Sequence, residues 1–564
     1  MFHATGQETK EEMSAAKRLA TLGCVSLLAS TTACGSSAPT VGADGAPKTT
    51  ITMGTVENFS SLDPAGAYDY GSWLLYYNVY QGLMSYQPGA TEPTPDAAQK
   101  CGFADAGDTT YTCTLRPGLK FSNGDPLNAA AVQFSFNRVV EIGKLGRDNG
   151  SGVSTLLSTL SSITTDGDLG VTFHLNTADA TFPDRLASGV GEIVDPKVYP
   201  SNNLLSGTGV VGSGVYKVDS VQYKTVNGKP SPQSVTMSLN PSYQGAAISS
   251  SNKPDNSDVV MKYYTDSAGV MSALTSGAID LNADNDLTAA DLVRLEADQQ
   301  LGTGLQVNTG AGTQTRMMVL NTKYGPFSDQ HVRQAVAELV DRTAIANNVY
   351  QRTVVPLYSV IPAGIGDATA AYADKYTSEP TAPEAVKSQL LNEGVKLPIS
   401  FTYQYAADSG GANAEAALVK TQLEADGIFS VTLHPLANLT ALSAQWTTGK
   451  VEASVVGWSS DYPDPDDYVS PFITTPGNAG TFGSYYSDPL ITSTYVPVTL
   501  KQSDRGSAAA MDAFKKIQYQ IAVDAAFVPL WQNKQYVVTQ ADITGVPLTL
   551  DTAGIMRFWM IGKS

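Results

Sequence analysis

Apolar and polar residues alternate at every second position in several short runs. TTITMGTV (49–56) and VTFHL (171–175) have this period and predict strands, and TYTCTLRPGLKFSNGDPL (110–127) reads as hairpin material. SVVGW (454–458) and AFVPLWQ (526–532) are nearly continuous in their apolar character and predict short buried strands. Between such runs the period changes to that of a helix. GSWLLYYNVYQGL (71–83) predicts an aromatic helix. Asn128 can cap a helix whose apolar face is Val132, Phe136, Val139 and Val140. Residues 267–282 read as a short helix followed by a buried strand. Ser328 can cap a helix with Val332, Ala335, Val336, Leu339 and Val340 on one face, and Met511, Phe514, Ile517 and Ile521 mark a late one. Phe121 and Phe134 are expected in the core. This alternation of strands and helices, without an internal repeat, predicts an α/β architecture.

The N-terminus departs from that pattern. Lys17 and Arg18 precede a short apolar run that ends near Ser30, followed by small residues. This is the layout of a secretory signal, and the run is too short for a membrane-spanning helix. Thr31-Thr32-Ala33-Cys34 is similar to a lipobox. It predicts a signal over 1–34, diacylation of Cys34, and a flexible Gly/Ser/Ala/Pro linker over 35–48. Glu8, Glu11 and Glu12 are foreign to a basic leader, so translation is expected to start at Met13. The protein is then expected outside the cytoplasm, held to the outer face of the membrane by lipid.

Composition narrows the function. The 564 residues are 42% hydrophobic and 16% charged, ample for two or three lobes, and the formal charge is −18. An acidic surface repels phosphate backbones, which argues against nucleic acid as a partner. Beyond Cys24 and Cys34 the cysteines are Cys101 and Cys113, which bracket a turn and a strand. In an oxidising compartment this spacing predicts a disulfide. No serine elbow, zinc-protease motif, or Walker or dinucleotide loop occurs, and the four histidines are scattered. Neither a cofactor nor a metal is expected.

GWSSDYPDPDDY (457–468) concentrates Asp461, Asp464, Asp466 and Asp467 behind an apolar strand and beside Trp458. Three readings compete: a solvated acidic loop, a calcium loop, and a pocket wall that faces a cation. Prolines stand where a calcium loop needs glycine, and no distal Glu follows. Trp458 and the preceding strand place at least Asp461 near a wall.

Taken in order, SLDP (61–64), YQGL (80–83), LRPGLKFSNGDPLNAAAVQFSFNRV (115–139), GSGVYKV (212–218), LNTKYGPFSDQHVRQAVAELVDR (320–342), GWSSDYPDPDDY and VPLWQ (528–532) resemble the motifs of bacterial extracellular solute-binding proteins of family 5, the oligopeptide, dipeptide and nickel-binding group serving ABC importers. The resemblance implies a periplasmic-binding-protein-like (type II) clamshell with an extra subdomain in its first lobe. Lobe I would span 49–315 with the subdomain at about 80–210, lobe II 316–529, and 530–564 would return to lobe I. The chain would cross between lobes near 313–319 and 527–531. The partners implied are a peptide, a membrane permease with its ATPase and the lipid anchor, with the protein a monomer and not an enzyme. Asp461 matches the carboxylate that pairs with a peptide's ammonium. Trp458 and Tyr462 would form cleft wall, and the backbone of Gly457 to Ser459 would bond the ligand main chain. Tyr68, Asp69 and Tyr70 lie in a loop expected to touch ligand. Asp464, Asp466 and Asp467 are expected in turn and capping roles, and Trp531 in the core. A nickel chelate, haem or an oligosaccharide are alternative ligands, and a secreted hydrolase of peptides or glycans is the rival from another class.

Overall fold

A computed structural model describes residues 49–226, 228–248, 253–300, 304–473 and 482–564. The signal and linker, with Cys34, lie outside the described residues. A mixed sheet of 11 strands runs through the described chain. At its centre Gln306–Leu320 and Phe527–Thr539 pair antiparallel over most of their length. Their register slips between Ala311 and Thr315. On one side of this break, Phe527–Thr539 leads through Leu281–Asn282 to Thr50–Thr55, Asp258–Tyr263, Lys229–Leu239 and Tyr216–Val226. On the other side, Gln306–Leu320 leads through Ala453–Trp458 to Ile399–Ala406 and Phe429–Leu436. The two halves are the two lobes of a type II binding-protein fold.

The central strands are buried on both faces beyond the break. Met317 and Val319 enter one apolar cluster, with Phe472, Phe514 and Phe527. Met318 and Leu320 enter another, with Phe327, Phe401 and Val528. Alternate side chains of a strand point to opposite faces, so one apolar run serves two layers. The helices behave as their periodicity demands. Asn128 caps Ala129–Lys144 through the amide of Ala131, and Val132, Phe136 and Val139 are buried, while Val140 is half-buried.

Three expectations need correction. The cap of Gln330–Leu339 is Asp329, which accepts from the amide of His331; Ser328 belongs to the preceding 3-10 turn, because Pro326 starts that turn earlier. Met511 is exposed on Ala508–Asp524, whose buried face is Phe514, Ile517 and Ile521. Phe134 is half-buried, unlike Phe121, because it sits on the flank of its helix.

The extra subdomain is a separate four-stranded antiparallel sheet, in the order Ala98–Phe103, Thr110–Leu115, Gly170–Leu175, Leu160–Asp166, with Ala129–Lys144 packed beside it. Cys101 and Cys113 face each other in its hairpin register and form a disulfide. The SLDP and FNR motifs meet at its base. Arg138 forks onto Asp63 with nitrogen–oxygen distances of 2.7 and 2.6 Å, both side chains 1% exposed. Asp63 also accepts from the amides of Ala65 and Leu205, so one carboxylate joins three segments.

Candidate functional site

A cavity of about 560 Å3 lies where the two halves of the sheet meet. Glu57 and Asp284 face it from just beyond the C-terminal ends of the neighbouring parallel strands Thr50–Thr55 and Leu281–Asn282. Ligand sites in α/β sheets recur at such ends. Thr313 and Gln314, in the register break, line it too, with Gly457 near the end of the strand Ala453–Trp458 and Ser459, Ser460 and Asp461 just beyond it.

Asp461 is the carboxylate that the acidic motif brings to this wall. Its amide donates to Asp467 Oδ2 at 2.8 Å, which turns its side chain across the cleft, where it accepts the hydroxyl of Tyr68. Burial pushes its carboxyl up to about 6, against the opposing pull of the Tyr68 hydrogen bond and of Arg185. That arginine lies 3.2 Å from Asp179 and is engaged there. Asp461 therefore presents a partly desolvated carboxylate with a neutral donor as its direct partner.

The remaining acids of the motif hold the loop. Asp464 caps Pro465–Tyr468 by accepting from the amide of Asp466 at 2.7 Å, and forks with Arg505 at 2.8 and 2.7 Å. Asp467 accepts from Trp458 Nε1 and from the amide of Asp461. Asp466 accepts from Ser470, and its other oxygen has no hydrogen-bond partner among the described residues.

Other expected contacts are redistributed. Tyr70 lines the cavity, whereas Asp69 is spent as the cap of Tyr70–Val79, accepting from the amide of Ser72 at 2.8 Å. Tyr68 stacks on Trp73, which does line the cavity. Trp458 and Tyr462 stand off the lining. Trp458 packs edge-on to Phe472 and Phe482, and Tyr462 is buried against lobe I under the guanidinium of Arg185. A strand followed by a tight turn points these two rings to either side of the carboxylate rather than beside it.

Sequence reasoning missed the opposite charge. Arg316 lines the cavity and is 8% exposed. Its Nε donates to Glu415 at 3.1 Å, and Nη2 has no partner among the described residues. Glu415 also accepts from Trp531 Nε1 at 2.7 Å and Tyr350 Oη at 2.9 Å, and both of those rings line the cavity. Trp531, expected in the core, is thus a wall residue as well. The signal was a lone arginine in the apolar run TRMMVL.

This arrangement, two half-sheets closing on a cavity with a desolvated carboxylate on its rim, defines a solute-binding protein. The family profile of bacterial extracellular solute-binding proteins, family 5 (middle region), matches residues 92–480, and the chain belongs to that family. It is 24% identical over 517 residues to the "Probable D,D-dipeptide-binding periplasmic protein DdpA" of Escherichia coli (strain K12), covering 88% of this chain and 91% of that one. It is 23% identical over 519 residues to the glutathione-binding protein GsiB of Pectobacterium atrosepticum, covering 88% and 90%. Among solved structures, the periplasmic binding protein DppA of Helicobacter pylori, in complex with the peptide STSA, superposes with a TM-score of 0.72 at 21% identity, over 91% of this chain and 98% of that one.

Proposed function

We propose that this chain is the extracellular substrate-binding component of an ABC importer. It closes its lobes round a short peptide and delivers the peptide unchanged to a membrane permease with its ATPase. The observation that carries this reading is Asp461: a carboxylate on the cavity wall, raised by burial, whose direct partner is a neutral hydroxyl. A peptide's N-terminal ammonium supplies the missing charge, and an enclosed ammonium in turn needs a carboxylate. Gly457 and Ser459 offer backbone for the peptide main chain. Tyr70 and Trp73 supply aromatic wall, and the free Nη2 of Arg316 supplies a donor for an anionic group of the ligand. Peptide and dipeptide binding in the names of the relatives supports the same reading.

The protein works outside the cytoplasm as a monomer, tethered through acylated Cys34. Among the described residues no helix is long and apolar enough to cross a membrane. The test is native mass spectrometry of the purified protein, followed by denaturation and identification of what is released, with calorimetry on free and N-acetylated forms of one released peptide. Intact short peptides, and a loss of on the order of 100-fold on acetylation, are expected. Equal affinity for both forms removes the ammonium role of Asp461. Release of a single non-peptide solute removes the peptide reading, and release of fragments makes the protein a hydrolase.

A further inference from the structure

A second, smaller cavity of about 70 Å3 lies within lobe I, behind the helix Tyr70–Val79. Tyr77 is the residue whose side of the helix lines both cavities, and the chain passes from one to the other at Ile555, Met556 and Arg557. Glu192 faces the smaller cavity. It is 5% exposed, and its Oε2 has no hydrogen-bond partner among the described residues. Asp96 faces the same space and accepts from Tyr243 Oη at 3.1 Å and from the amide of Ala246 at 2.7 Å. The charged donor on this wall, Arg557, is engaged elsewhere: Nη1 donates to Asp551 at 2.8 Å and Nη2 to the carbonyl of Tyr86 at 3.0 Å. Gln81 donates its Nε2 to the carbonyl of Gln244 and also hydrogen-bonds the carboxylate of Asp96.

Two carboxylates thus share a small space. Arg116, whose Nε donates to the backbone carbonyl of Asp96 at 2.6 Å, opposes the rise of the Asp96 carboxyl, whereas no cation among the described residues does so for Glu192. Burial first, and then the charge of Asp96, push the carboxyl of Glu192 well up. A carboxylate buried without a partner is costly, and either a proton or a bound cation can relieve it. The cavity has room for about two water-sized groups, which suits an ammonium head and its last methylene.

We propose that the pocket around Glu192 is a side-chain subsite that takes the ammonium head of a lysine-type residue of the bound ligand, entering past Tyr77. This rests on the peptide reading above. Glu192 and Asp96 supply the counter-charge, and the rings of Tyr77 and Tyr243 flank the aliphatic stem. The subsite would select basic peptides within the cleft.

The test uses the purified full chain and its Glu192→Gln variant. Affinities for tri-alanine are compared with those for tripeptides bearing lysine or norleucine at each position in turn. The wild type is expected to prefer lysine over norleucine by about tenfold at one position, and Glu192→Gln to bring that ratio to near one. A parallel arm follows the melting temperature in n-butylammonium chloride against sodium chloride, where a rise seen in the wild type and lost in Glu192→Gln is expected. Binding of tri-alanine with no effect of Glu192 in either arm overturns the subsite and leaves the peptide reading intact. No peptide binding, with the butylammonium effect present, overturns the peptide reading and leaves a free-amine pocket. No difference between wild type and variant in the butylammonium arm, with no peptide bound, overturns both.

Discussion

The hydroxyl of Tyr68 and the carboxylate of Asp461 meet across the cleft although 393 residues separate them in the chain. Tyr68 precedes a helix of the half that holds Thr50–Thr55, Asp461 follows the strand Ala453–Trp458 of the other half, and the hydrogen bond joins the two halves. The contact between the halves is therefore coupled to the ionisation of the residue proposed to read the ligand's ammonium.

That coupling predicts a pH profile. Only the ionised form of Asp461 pairs with an ammonium, and its carboxyl is pushed up to about 6. A proton thus competes with the ligand below that value, and affinity for a free-amine peptide should fall by about tenfold per unit as pH drops below about 6. Tyr68→Phe removes a bond that favours the carboxylate, so its midpoint should move upward. Calorimetry between about pH 5 and 8 checks both, and identical midpoints in the two proteins would remove Tyr68 from the linkage.

Asp466 gives the opposite sign in stability. It is buried, one of its oxygens is unpartnered, and burial raises its carboxyl to about 6. A group with a raised folded-state pKa contributes stability that is fully present below its unfolded value and is lost as pH rises through the folded one. Asp466→Asn should therefore melt higher than wild type at about pH 7.5 and lose that advantage near about pH 4. A wild-type advantage at the higher pH would show that Ser470 and Arg505 hold the ionised form more strongly than burial disfavours it.

Glu415 gathers three donors, from Arg316, Tyr350 and Trp531, at 1% exposure. Glu415→Ala leaves a guanidinium buried without its counter-charge, and should destabilise the protein by about 3–5 kcal/mol in denaturant titrations. Glu415→Gln keeps the shape and two acceptor lone pairs and should recover part of that loss.

The Cys101–Cys113 disulfide closes a loop with a sequence separation of 12. Replacing both cysteines by serine should cost about 3 kcal/mol at most in the chain-entropy model. Because the bridge staples one hairpin of the subdomain, native-state hydrogen exchange should quicken at Ala98–Phe103 and Thr110–Leu115 well before it does in the central strands. A uniform quickening would show that the subdomain opens only with the whole protein.

Much of this was legible because local chemistry and tertiary role coincide. Asn128 caps where it was expected to, and SVVGW forms a strand, because a cap and a buried run depend on near neighbours. The cleft is less legible because its polar groups come from remote segments. Asp464 and Asp461 look alike in GWSSDYPDPDDY, yet one meets Arg505 and the other Tyr68. Only the fold separates a structural acid from one on the wall. Ser328 illustrates the limit at short range. Two good caps stand side by side, and the proline turn before them decides for Asp329.

Thr50–Thr55 and the C-terminal pair Ile543–Thr544 with Gly562–Lys563 belong with the same half of the molecule, and the other half hangs from two central strands as a loop in the chain. Reporters fused at the start of the folded chain and at its end would ride on one body and stay silent through closure. A working optical sensor needs one dye on the pendant half, where exposed Leu391 offers an attachment point, and its partner on the half that holds both ends.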